Sequence, residues 1–189
     1  MDMASEVKRW TRAEVLALPD DGRRYELIDG ELLVTASPAG PHQRAVLILF
    51  RQVDRYCREH GLGYTCLAPA DLALGGEQVS QPDLFVVPLV GGHEPVEWPD
   101  FGIPLLVAEV VSPGTARFDR ITKRRRYQRS GVELYWIVDL DARLVECWRP
   151  DEERPEIQTE RVRWQPRPEV PALTVDLPEL FREVWGQGG

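Results

Sequence analysis

The sequence predicts a single α/β domain: a central mixed β-sheet flanked by helices, with a β-hairpin near the N-terminus. Three observations carry that prediction. Two apolar runs, Ile103 to Ser112 and Leu134 to Val138, do not alternate apolar with polar residues. Each therefore reads as a strand covered on both faces. Asp29-Gly30 separates two short strand-like segments, which is a strong hairpin signal. His42 to His60 repeats apolar residues at helical spacing, the pattern of a helix laid against a sheet. With 189 residues, 43% of them hydrophobic, the chain can bury one sizeable core and is short for two.

Composition removes several classes of function. At 29% charged residues the chain is globular rather than disordered. No run reaches the ~18 apolar residues of a membrane span. Met1 to Trp10 lacks the apolar core of a secretory signal. Cys57, Cys66 and Cys147 are odd in number and widely spaced, so they read as free thiols in a reducing, cytoplasmic setting. Three scattered histidines argue against zinc. The net charge of −8 argues against coating nucleic acid by bulk electrostatics. Charge is uneven, however: from Arg117 to Arg129 there are seven basic residues and one acid.

Thr11-Arg12-Ala13-Glu14 fits a capping box and opens a short helix to about Leu18. Pro19 to Gly22 ends it. In the hairpin, a two-residue loop pairs Ile28 with Glu31, Leu27 with Leu32, Glu26 with Leu33 and Tyr25 with Val34. Tyr25, Leu27, Leu32 and Val34 then share a face, expected on the core. Glu26 and Glu31 share the other, either as a solvated face or as part of a site. After a turn-rich linker, Ser37 to Pro41, the 42–60 helix buries Val46, Leu49, Phe50, Val53 and Cys57 and stops at Gly61. His42, at its start, reads as a surface or capping residue, with a site role as the alternative. Strands are expected at 64–74 and 79–87 around Gly75 to Gln78, and at 103–111. A basic helix runs to Ser130, with Gly131 beyond its end. A second hairpin, 133–139 and 143–149, follows. After Pro150 the chain turns polar, and 170–184 returns as a strand and short helix.

Chemistry concentrates at two strand ends. Asp83 and Glu109 lie at the edges of apolar runs, where an unpaired carboxylate costs several kcal/mol unless a cation or solvent meets it. Carboxylate oxygens suit Mg²⁺, which keeps water and substrate phosphate in its other positions. Lys123, one of only two lysines beside 21 arginines, follows on the basic helix. There Asp119, Lys123 and Tyr127 recur at i, i+4 and i+8, so they share one helix face. Two acids and a lysine point to metal-assisted hydrolysis, with Lys123 orienting water or meeting negative charge. Arg120, Arg124 and Arg125 read as phosphate contacts.

Five stretches in order carry a resemblance: Tyr25 to Glu31, Gln81-Pro82-Asp83, Glu109 to Thr115, Asp119 to Tyr127 and Gly131 to Asp139. Together they resemble the Uma-two family of restriction endonucleases, within the PD-(D/E)XK nuclease superfamily. The resemblance covers about Tyr25 to Trp148. It implies a restriction-endonuclease-like core, DNA as substrate and Mg²⁺ or Mn²⁺ as cofactor. Asp83 matches the first acid of the pattern and Glu109 the second. Where the pattern has a lysine, this chain has Val111, and the resemblance implies that Lys123 supplies it from the following helix. Glu31, His42 and Tyr127 are further catalytic candidates.

Two rival readings remain open. Val111 at the lysine position and the acidic charge favour a catalytically inactive nuclease-fold protein that binds DNA or protein. Exposed Trp98 or Trp148 would instead serve an interaction module, for example a homodimer.

Overall fold

The computed structural model describes residues 8–19, 21–35, 39–72, 74–75, 79–95 and 102–186. Helix α1 (Arg12–Leu16) begins with the capping box read from the sequence, Thr11 and Glu14 satisfying each other's backbone donors. Strands β1 (Arg24–Ile28) and β2 (Glu31–Thr35) pair in the register derived above. Asp29 and Gly30 have φ of 53° and 82°, the left-handed geometry a type I′ turn requires. The hairpin docks through backbone hydrogen bonds between Leu27 and Val79. Tyr25, Leu27 and Leu32 pack on Trp10, Val15 and Val79. Val34 does not; it is 42% exposed, because β2 is the outer strand of a two-stranded sheet. The opposite face is not solvated at Glu26, which is buried.

Six strands form the central sheet in the order β3-β4-β5-β6-β7-β8. They are β3 (Gly63–Leu67), β4 (Leu84–Pro88), β5 (Leu106–Val111), β6 (Tyr135–Asp139), β7 (Leu144–Trp148) and β8 (Glu156–Gln158). Only β5 and β6 run parallel. A parallel pair needs a crossover, and the basic helix provides it. That helix runs from α3 (Ala116–Phe118) through a π-helical turn (Asp119–Lys123) into α4 (Arg124–Arg129). Gly131, at φ 77°, follows its end.

Proline explains why three strands are shorter than the sequence pattern indicates. β3 ends before Ala68-Pro69, β4 starts after Pro82, and β5 starts after Pro104, leaving Ile103 54% exposed. A proline has no N–H to give the ladder. Leu72 still bridges Ser80, on either side of the expected turn, but residues 76–78 of that turn lie outside the described set. The Ser37-Pro38 part of the linker and Trp98 lie outside it too.

Long helix α2 (Gly40–His60) covers one face of the sheet. Leu84, Val86, Leu106, Ala108, Trp136 and Val138 point to that side. The C-terminal segment joins it as β10 (Leu173–Asp176) and α5 (Leu177–Trp185). The polar stretch after Pro150 also holds two strands that its composition hid, β8 and β9 (Arg161–Trp164), the latter paired with β10. Phe85, Val107, Tyr135 and Ile137 point to the other face, under Tyr127 of α4. No described helix is long and apolar enough to cross a membrane.

Candidate active site

Strand register brings two acids together. Leu84 pairs with Ala108 in the antiparallel β4–β5 ladder, so one step further Asp83 faces Glu109. Side chains alternate along strands, and both acids fall on the face of Phe85 and Val107. Each carboxylate accepts from backbone near the other. The Asp83 N–H donates to Glu109 Oε2 at 3.3 Å, and the Val110 N–H donates to Asp83 Oδ2 at 2.9 Å. Asp83 and Glu109 are only 4% and 2% exposed.

The crossover helix supplies the cation. Lys123 is 2% exposed, and its Nζ lies 2.8 Å from Glu109 Oε1, 2.9 Å from Glu26 Oε2 and 3.4 Å from Asp119 Oδ1. Asp119, Lys123 and Tyr127 are all buried, so the face inferred from their spacing is the inward one. Tyr127 donates to Glu109 Oε1 at 3.3 Å and meets Ser80 Oγ at 2.8 Å. Glu26 arrives from β1 and accepts from the Gln81 N–H at 2.9 Å.

Arg24 and His42 meet Asp83 from the other side. Arg24 Nη1 is 2.9 Å from Oδ1, and His42 Nε2 is 3.0 Å from Oδ2. Burial pushes the Asp83 carboxyl up, but His42 and Arg24 outweigh it and hold the acid below the usual carboxylate range. Glu109 goes the other way. Burial raises it well above the ordinary value, helped by Asp83, Asp119 and Glu26 and opposed by Lys123. Lys123 loses solvation yet is held protonated far above its usual range by Glu109, Glu26 and Asp119.

Four buried carboxylates thus face two permanent cations, Lys123 and Arg24, with His42 alongside. The four acids line a cavity of about 480 Å³ that also reaches Val34, Leu140 and Trp185. Does this suit a metal ion? Asp83 and Glu109 offer hard oxygens from neighbouring strands, and Mg²⁺ needs only one or two carboxylates besides water. Among the described residues no three His, Cys, Asp or Glu side chains are disposed to hold an ion together. All four oxygens of the pair accept from protein donors. The donor chemistry therefore fits, with an ion competing against Arg24, His42 and Lys123 as counter-charge.

The family described as "Uma2: Putative restriction endonuclease" matches residues 12–184. The chain belongs to the Uma2 family. No curated protein matches it. Among solved structures, "a putative nuclease belonging to DUF820 from Anabaena variabilis" is similar, with a TM-score of 0.75 at 20% identity. The match covers 93% of this chain and 99% of that one. At that identity the likeness shows the fold, a mixed sheet flanked by helices.

In this Uma2 chain, the structure gathers Asp83, Glu109, Lys123, Tyr127 and His42 from the sequence candidates. His42 is no surface cap: residue 39 occupies the N-cap position, and the imidazole turns in to Asp83. Glu31 lies apart, exposed at the start of β2, and Glu26 enters the cluster instead. The three arginines separate. Arg120 is bound to Asp139 at 2.7 Å and to Glu146 at 2.5 Å, and Arg124 lies over the Trp148 ring at 4.5 Å. Arg125 is exposed. Trp148, expected outside, is 8% exposed, with its indole N–H donating to Glu146.

Arg24, Ser80 and Trp185 join the cavity or its network without having been singled out in the sequence. Arg24 had a usable signal, since it lies two residues before Glu26 on the same strand and so shares its side. Ser80 and Trp185 had none, because only packing brings them near.

Proposed function

We propose that this chain hydrolyses DNA phosphodiester bonds, with Asp83 and Glu109 holding Mg²⁺ or Mn²⁺. The carrying observation is the surplus of buried carboxylates beside Lys123 in a cavity open to solvent. Such a surplus is costly without a further cation or a retained proton, and the ion would supply Lewis-acid polarisation of the phosphoryl group and a more acidic water. In the reaction, a water oxygen attacks phosphorus and gives up a proton to solvent, the P–O bond to the leaving sugar oxygen breaks, and that oxygen takes up a proton from solvent.

Lys123 takes the role of a fixed ammonium. Three carboxylates keep its proton on, so it meets developing negative charge and positions groups rather than abstracting a proton. Tyr127 and Ser80 hold Glu109 and Glu26 in place. Arg24 and His42 orient Asp83.

Cleavage of mixed plasmid and oligonucleotide DNA with Mg²⁺ or Mn²⁺ tests this reading. Asp83→Ala and Glu109→Gln should each lower turnover about 100-fold or more. Equal cleavage by these variants would end it. A second reading rests on the four carboxylate oxygens already served by protein donors. Wild-type protein that binds DNA without cutting it under either metal would establish this inactive form.

A further inference from the structure

The cavity has an apolar side that the hydrolysis of a phosphodiester does not by itself explain. Val34, Leu140 and Trp185 line it together with Asp83, Glu109 and Lys123. In α5, Leu177, Leu180, Phe181 and Val184 are buried. Trp185 follows Phe181 by one turn and so continues their stripe, yet it is 41% exposed; Val34 is 42% exposed. Burying such surface is favourable, so a partly open indole and a partly open valine lining one cavity suit a flat apolar occupant. The acids and the lysine lie deeper, each no more than 4% exposed.

One ligand matches a flat apolar group joined to a phosphate: a nucleotide out of its stack. A base paired within a duplex keeps both faces stacked on its neighbours, so only an unpaired base offers a face to an indole. The cavity's volume of about 480 Å³ lies within the span of small-ligand sites and is on the scale of one nucleotide, not of a duplex. We propose that the cavity receives one unpaired nucleotide, with its base stacked on Trp185 and its phosphate directed to Asp83 and Glu109. The substrate class is then single-stranded or locally unpaired DNA. This rests on the hydrolytic reading above for the role of the phosphate, but stacking is measurable separately.

The test uses a fluorescently labelled single strand and its blunt duplex, bound by the full chain with Ca²⁺, which also takes carboxylate oxygens. Binding is followed by anisotropy, and cleavage of the same DNAs is followed with Mg²⁺ or Mn²⁺. Wild type should bind the single strand more tightly than the duplex. Trp185→Ala should weaken single-strand binding about tenfold, and Trp185→Phe should keep most of it. Trp185 is half-exposed, and matching melting curves for the two variants would show both folded. Unchanged single-strand affinity in Trp185→Ala, or tighter duplex binding in wild type, overturns the proposal. Cleavage of duplex that is indifferent to Trp185→Ala would leave hydrolysis standing and remove this inference. Trp185-dependent single-strand binding without cleavage would uphold stacking and remove hydrolysis.

Discussion

Lys123 is the residue on which the cluster turns. Its ammonium has given up water and is compensated by three carboxylates within 3.4 Å. Acylating reagents need a neutral, reachable amine, and Lys123 offers neither. At about pH 9, Lys8, with 57% of its side chain exposed, should react while Lys123 stays unmodified until denaturant is added. Peptide mass spectrometry showing Lys123 labelled in folded protein would contradict the buried ion cluster. Lys123→Met removes the charge and leaves the acids uncompensated, at a cost of about 3–5 kcal/mol near neutral pH. Glu109 and Asp119 already lie above their ordinary values with Lys123 present. Without it they rise further, so the folded variant binds protons that the unfolded chain does not. That stabilisation is complete below about pH 4 and fades as pH climbs through the raised values. Lys123→Met should therefore resist denaturant better at about pH 5 than at about pH 8. Equal midpoints at the two pH values would exclude proton uptake by the acids.

At the scale of elements, the crossover helix divides its arginines between two tasks. Arg120 neutralises Asp139 and the buried Glu146, while Arg125 faces outward. Arg120→Ala should lower stability by about 1–3 kcal/mol, discounted because the guanidinium is 33% exposed. Arg125→Glu should leave the melting curve alone, weaken DNA binding and flatten its salt dependence. A salt slope identical to wild type would mark Arg125 as a solvated side chain only. The inward line of Asp119, Lys123 and Tyr127 was legible from their spacing, because helical periodicity is local. The π-helical turn within it was not, since an extra residue per turn leaves no compositional mark.

For the molecule as a whole, the C-terminal segment completes the core and walls the cavity. Leu180, Phe181 and Val184 pack into the cluster that holds Leu49 and Val53 of α2. Phe181→Ala, at a site 2% exposed, should cost about 3–5 kcal/mol, read from urea unfolding. A loss under about 1 kcal/mol would mean that α5 is only loosely docked. The strand–helix–strand order around Glu109 could be read because its apolar runs and glycine stops are strong local signals. Strands β8 and β9 were hidden by their polar setting, although Arg161 to Trp164 does alternate outward arginine with buried Val162 and Trp164.

Local chemistry settled the capping box at Thr11, the I′ turn at Asp29-Gly30, the register of its hairpin and the apolar centre of the sheet. Each depends on residues a few positions apart, where backbone preference and side-chain period act directly. Which charges meet was decided at longer range. Glu26 rather than Glu31 faces Lys123 because Leu27 bridges Val79 and turns that face of β1 inward. His42 reaches Asp83 because α2 starts beside the start of β4, and Trp185 reaches the same cavity from the far end of the chain. Such encounters depend on how separate elements pack, and a buried charge is stable only where that packing supplies its partner.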